Sequence, residues 1–479
     1  MFTRSCDFRE RSFTINYRNC DRLILSFLFH LPNKDSEEET FAKLHETSNF
    51  VIPAKAGIQC YQAFPRFRVK PGMTNREVMQ RSQKLDSGHQ SLLLTPLDFT
   101  NRSSEMDLTQ FDWDYIIKKM RQEGVAETIF HNLRKNHTQH LVPPATYTAL
   151  SDQYYKNLRR NLSVICELKG ILILLKESEI PCIVLKGIAL AEHIYPSIAM
   201  RGMSDIDILV KKSELYAVDE LLSSQGYIAR DSSVSSAIDN PEGYLASLEY
   251  RKENGSLLNL HIHWHIVNTS VPATMFVKHV DIERIWEKAV DARVADADVY
   301  MLCPEHLIIY LCEHALRIGH SFDRLILIAD IFYALKGYEK NISWDFLVEE
   351  SRRFNLDRLV YFSLSVVKAY ASSSIPEEHL RKLMPPHFSV GERFFQRRQI
   401  SNRRIRGSSY FIYLAMNRTF SDKMKFLFRT LFPPRQILLQ RLYIRDGATT
   451  TSHYTARVRE VLSHIFSFIP IPKKILKRP

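Results

Sequence analysis

The chain has 479 residues, 45% hydrophobic and 25% charged, with a formal net charge of +12. That length accommodates two or three domains with full cores, and that composition excludes wholesale disorder. No apolar run approaches the roughly 18–20 residues of a membrane span, and the seven scattered cysteines form neither a CxxC pair nor a disulfide framework. With charges throughout the N-terminus and no signal-peptide h-region, a cytoplasmic location is inferred.

In chain order, no helical or strand period persists between Met1 and Glu105. Stretches 51–59 and 67–74 look like translated bacterial intergenic repeat DNA. Residues 1–105 therefore read as a non-native or disordered extension, with Met106 as the functional start. N-terminal helices are expected over 106–160. Apolar residues recur at three- and four-residue intervals in 113–134 and 147–180, where Leu162, Ile165, Leu168, Ile171, Leu172 and Leu175 form a stripe facing a core.

Pro181 then breaks the helix and residues 182–185 read as a buried strand, with Lys186-Gly187 opening a short helix through Ile194. Residues 206–210, short, β-branched and apolar, read as a strand carrying Asp205 and Asp207. A helix follows from Ser213, with Leu215, Val218, Leu221 and Leu222 inward and Gly226 as its stop. Residues 248–252 and 257–266 flank Asn254-Gly255, the residue pair a type I′ hairpin turn favours. A two-residue turn there pairs Glu249 with Leu260 and puts Glu249 on the face opposite His261.

Beyond Pro304 the pattern is helical over 305–318, 323–335 and 344–370, the last with Ser343 as N-cap. Residues 426–443 add apolar and basic side chains around Pro433-Pro434. The predicted fold class is α/β: a small mixed-sheet domain over 161–300, embedded between N-terminal helices and a helical, basic C-terminal region over 301–479. From Arg381 onward there are 21 Lys and Arg against 4 Asp and Glu. Such a surface attracts nucleic acid or another anionic surface.

Three pieces could carry chemistry. Asp205 and Asp207, two apart on a strand, share a face and stand roughly 6–7 Å apart at about 3.3 Å per residue. That spacing suits hard divalent cations with positions left open for phosphate oxygens. Lys186 and Gly187 arrive at a helix N-terminus, where backbone N–H groups favour phosphate. Asn259, His261, His263 and His265 alternate with Leu260, Ile262, Trp264 and Ile266, giving one polar and one packed face. His314 and Asp330 are read as a buried hydrogen bond between two helices.

Leu185-Lys-Gly187, Tyr195-Pro196, Arg201 with Met203-Ser-Asp-Ile-Asp-Ile-Leu-Val210, and His263-Trp264 together resemble the nucleotidyltransferase family of the polymerase-beta-like superfamily. Residues 111–114, Pro304-Glu305, His314, Asp330 and 432–434 extend the likeness over roughly 106–470. The resemblance implies transfer of a nucleoside monophosphate from an NTP to an acceptor hydroxyl (on a small molecule, protein or RNA), with release of pyrophosphate. It implies Asp205 and Asp207 as ligands of Mg²⁺, or of Mn²⁺, and Lys186, Gly187, Arg201 and Ser204 as contacts to the substrate phosphates. Where the family pattern has a third carboxylate, two residues before His263-Trp264, this chain has His261. Imidazole suits Mn²⁺ or Zn²⁺ better than Mg²⁺. The alternative reading is a degenerate nucleotidyltransferase domain that binds nucleotide or nucleic acid through the basic C-terminal region.

Overall fold

The computed structural model describes residues 112–230, 234–235, 246–252, 259–267, 279–317, 320–371, 375–388, 390–400, 408–417, 419–433, 454–459 and 461. The N-terminal extension, the Asn254-Gly255 hairpin tip and Pro434 lie outside the described residues.

Two short helices open the described chain, within the stretch 113–134 where the sequence shows helical spacing. Asp112 caps α1 (Trp113–Glu123) by accepting from the Tyr115 backbone N–H at 3.0 Å, and Gly124, at φ 71°, ends it. After α2 (Ala126–Lys135) comes α3 (Pro144–Glu177), 34 residues long. Its inward stripe runs Tyr154, Asn157, Asn161, Val164, Leu168, Ile171, Leu172 and Leu175. Leu162, expected to face the core, is instead 42% exposed. The two asparagines take the inward positions because they have a task. Asn157 donates to the carbonyl of Ala199 at 2.8 Å, and Asn161 to that of Arg201 at 2.8 Å. Thr128 on α2 adds a bond to the carbonyl of Met200. The loop entering the Asp205 strand is thus pinned from behind by buried polar groups that find backbone partners.

A seven-stranded mixed sheet follows, made of β1 (Cys182–Val184), β2 (Asp205–Val210), β3 (Tyr227–Ala229), β4 (Ser247–Lys252), β5 (Asn259–His263), β6 (Val290–Val294) and β7 (Ala297–Met301). Its spatial order is β3-β4-β5-β2-β1-β7-β6, with β2 antiparallel to β1 and parallel to β5. Short helices α4 (Ile188–His193), α5 (Leu215–Ser224) and α6 (Ile282–Glu287) connect them. Ile206, Ile208 and Val210 point into one core with Leu168, Leu172 and Leu175 of α3 and Val218 and Leu222 of α5. Strand alternation therefore turns Asp205 and Asp207 to the other face.

Two strand features depart from the sequence reading. Glu249 pairs with His261, not Leu260, so the hairpin register is shifted by one residue and Glu249 shares the face of His261. Arg230 and Arg251 hold its carboxylate at 3.1 and 3.2 Å. The β6–β7 hairpin was not foreseen: its turn residues, Ala295 and Asp296, both adopt positive φ without an Asn-Gly signature. Glu192 on α4 accepts from the Ala295 N–H at 2.9 Å, which holds that turn in place.

Further helices among the described residues are α7 (Pro304–Leu316), α8 (Leu325–Gly337), α9 (Trp344–Arg353), α10 (Asp357–Ala371), α11 (Glu377–Leu383), α12 (Val390–Ile400), α13 (Ser408–Met416) and α14 (Phe420–Leu431). Ser343 caps α9 as expected, accepting from Phe346 N–H. The single helix anticipated over 344–370 is broken at Asn355, whose φ is 55°. Among the described residues no helix is long and apolar enough to cross a membrane.

Candidate active site

Asp205 and Asp207 converge on one ammonium. Lys186 Nζ lies 3.1 Å from Asp205 Oδ2 and 2.6 Å from Asp207 Oδ2. The lysine is delivered by the end of β1, antiparallel beside β2, where the Leu185 N–H donates to the Asp207 carbonyl at 3.0 Å. Gly187 follows with φ 73° and ψ −107°, a conformation that side-chain-bearing residues avoid. A Cβ there would meet Asp205 O at 3.7 Å and Arg201 Nη1 at 3.8 Å, ordinary contacts. The glycine is thus required by its backbone angle rather than by crowding. Ser204 donates its hydroxyl to Asp205 Oδ1 at 3.1 Å and so orients that carboxylate.

The two acids differ in environment. The Asp207 side chain is 1% exposed and that of Asp205 26%. Burial alone would raise the Asp207 carboxyl, but Lys186 and hydrogen bonds from His261 and His263 hold it well below the usual carboxylate range. Burial likewise opposes the Lys186 charge, and Asp207 and Asp205 together overcome it and raise the ammonium. His263 Nε2 lies 2.9 Å from Asp207 Oδ1 and His261 Nδ1 lies 3.5 Å from the same oxygen. Desolvation lowers His263, whereas at His261 the bond to Asp207 and the two aspartate charges outweigh burial and raise it. His265, on the same alternation, instead accepts from the Val267 N–H at 3.1 Å.

Arg201 stands at the edge of this group. Its Nε and Nη2 each contact a carboxylate oxygen of Asp330 at 2.9 Å, and Tyr195 donates to Asp330 Oδ1 at 2.7 Å. The fork is bidentate and buried. Its Nη1 lies on the Gly187 side. Asp330 therefore serves Arg201 and Tyr195 rather than the His314 contact expected between helices. His314 packs its ring 4.7 Å from that of His320.

Sequence reasoning missed Tyr310 on α7. Its hydroxyl is buried without a hydrogen-bond partner, and its charge would interact with Lys186 and Asp207. It sits in a run, Leu307-Ile-Ile-Tyr-Leu-Cys312, whose uniform apolarity hides which residue faces the site. An orphaned buried hydroxyl costs about 1–3 kcal/mol, so one beside an acid–lysine cluster is a place for a ligand atom.

Two carboxylates on one strand of a mixed sheet thus stand beside a lysine-glycine turn. A family model described as "uncharacterised nucleotidyltransferase" matches residues 109–372, more than half of the chain, and the chain belongs to that family. Comparison with curated proteins and with solved structures returned no match.

A Mg²⁺ ion would ask for about six oxygen ligands at about 2.1 Å. In this arrangement the inward oxygens of both aspartates face Lys186 and the third donor is imidazole. A two-carboxylate Mg²⁺ clamp does not fit the side chains as placed. The described residues do offer one set of mutually close donors, Asp207, His261 and His263.

Proposed function

We propose that this protein transfers a nucleoside monophosphate from an NTP to an acceptor hydroxyl on a small molecule, protein or RNA. The observation that carries the reading is the convergence of Asp205 and Asp207 on Lys186 beside the Gly187 turn. In the transfer, the acceptor oxygen bonds to the α-phosphorus as the bond to pyrophosphate breaks. Asp205, the more accessible carboxylate, takes the acceptor's proton. Lys186 neutralises phosphate charge, and Arg201 presents Nη1 beside Gly187 while Asp330 holds its other edge. Ser204 keeps Asp205 oriented. A divalent cation would be held by Asp207, His261 and His263 and would supply electrostatic stabilisation of developing negative charge.

The test is incubation of the purified chain with α-labelled NTPs and divalent cations, following label release or incorporation. Asp205→Asn should lower turnover by about 100-fold or more with an unchanged circular dichroism spectrum. Turnover indifferent to that substitution would refute the assignment.

Two observations favour a second reading, in which the domain binds nucleotide or polyanion without turnover. Lys186 already fills the space between the carboxylates, and a cleft of about 980 Å³ in the basic C-terminal region is lined by Arg352, Arg358, Lys382 and Lys423 against two acids, Asp357 and Glu392. A binder of that kind would lose affinity steeply with salt and ignore Asp205→Asn.

A further inference from the structure

The two oxygens of Asp207 have separate partners. Oδ2 faces the Lys186 ammonium at 2.6 Å, while Oδ1 faces His263 Nε2 at 2.9 Å and His261 Nδ1 at 3.5 Å. Asp207, His261 and His263 can each bring one donor atom within 4.8 Å of the others. Ligands about 2.0–2.1 Å from a tetrahedral ion stand about 3.3 Å apart. The separations around Oδ1 bracket that edge, so small side-chain adjustments close the three donors on one ion. On the opposite side of the carboxylate, Lys186 supplies a positive charge between Asp205 and Asp207, the position a carboxylate-bound Mg²⁺ would need.

We propose that Asp207 Oδ1, His261 Nδ1 and His263 Nε2 bind one zinc-class ion in preference to Mg²⁺, with the Lys186 ammonium standing in for a second cation between the aspartates. Imidazole donors select zinc and its neighbours over Mg²⁺. Three protein ligands leave a fourth position open, as catalytic zinc sites do. Summed over Asp205, Asp207, Lys186 and a divalent ion, the site carries a net charge of +1, which draws a triphosphate. This deepens the nucleotidyl-transfer reading and rests on it for what the ion is used for, while binding of the ion stands on the side chains alone.

The test uses the full chain, stripped of metal and titrated with Co²⁺ as a spectroscopic substitute for zinc, with equilibrium dialysis against Zn²⁺ and Mg²⁺. One equivalent of Co²⁺ should bind with the intense visible bands of tetrahedral coordination, persist in millimolar Mg²⁺ and be displaced by Zn²⁺. His261→Ala and His263→Ala should each weaken Zn²⁺ binding by about tenfold or more. Asp205→Asn should leave the tetrahedral Co²⁺ bands in place, because Asp205 lies outside the three donors and contributes only its charge, 4.0 Å from His261 Nδ1. Should the histidine-to-alanine variants lose their fold, His261→Asp provides the second measure, with weaker Zn²⁺ and stronger Mg²⁺ binding. Octahedral Co²⁺ bands, an absence of binding, or affinity unaltered in the folded histidine variants would overturn the proposal. NTP turnover in Mg²⁺ with no Zn²⁺ bound would overturn it while leaving the transfer reading intact. Tight Zn²⁺ binding with no turnover of any NTP would do the reverse.

Discussion

Replacing Asp330 with alanine should destabilise a turn that lies 129 residues away in sequence. Asp330 is 1% exposed and accepts three hydrogen bonds, two from Arg201 and one from Tyr195. In Asp330→Ala, Arg201, a residue only 7% exposed, keeps its charge and loses its counterion. Breaking a buried pair by removing one partner costs about 3–5 kcal/mol, and the orphaned Tyr195 hydroxyl belongs to the same loss. At about 2 °C per kcal/mol for a unit of this size, the midpoint of thermal unfolding should fall by about 6–10 °C. Arg201→Met combined with Asp330→Leu should recover much of that, since an apolar pair leaves no charge to bury. Thermal and guanidinium unfolding followed by circular dichroism measure all three variants. If Asp330→Ala stays within about 1 kcal/mol of the parent, the buried-fork account of Arg201 is wrong. If Arg201→Met weakens NTP binding without loss of stability, Arg201 is a phosphate contact and nothing more.

Gly187→Ala should cost about 1–3 kcal/mol from backbone strain alone, as its new Cβ finds only ordinary contacts; a neutral result in a thermal melt would show that the turn relaxes. His131 and His320 are both pushed down to about 4, first by burial and then by neighbouring cations, Lys135 and Arg134 for one, Arg317 and Lys186 for the other. Their folded values lie below the unfolded value of about 6.5, so the folded state holds fewer protons between these limits. Stability should be full above about pH 6.5 and fall as pH drops toward 4, and His131→Gln with His320→Gln should flatten that slope in unfolding midpoints measured across the range.

Much of the site was legible because it obeys local rules. Alternation put Asp205 and Asp207 on one face, and the Lys186-Gly187 pair marked a turn that only glycine closes without strain. What escaped was set by partners distant in sequence. Asn157 and Asn161 interrupt the apolar stripe of α3 because they hold carbonyls of the 198–201 loop, so hydrophobicity alone selected Leu162 in error. The β6–β7 turn is held by Glu192 rather than by residues of its own that prefer positive φ. Glu249 came out on the wrong face because register depends on a hairpin tip whose turn type one dipeptide does not fix. His263 and Tyr310 reach Asp207 and Lys186 from different elements, and no spacing in the sequence records that meeting.

The Arg201–Asp330 clasp also bears on synthesis. Every strand of the sheet has been translated by Met301, yet the residue that anchors the Asp205 approach comes 29 positions later, on a helix of the C-terminal region. A nascent chain can assemble its strands before the ribosome has made that anchor, so the Arg201 guanidinium waits for its counterion until α8 docks. The last clasp on the Asp205 approach is therefore closed by a helix that follows the sheet, not by the sheet itself.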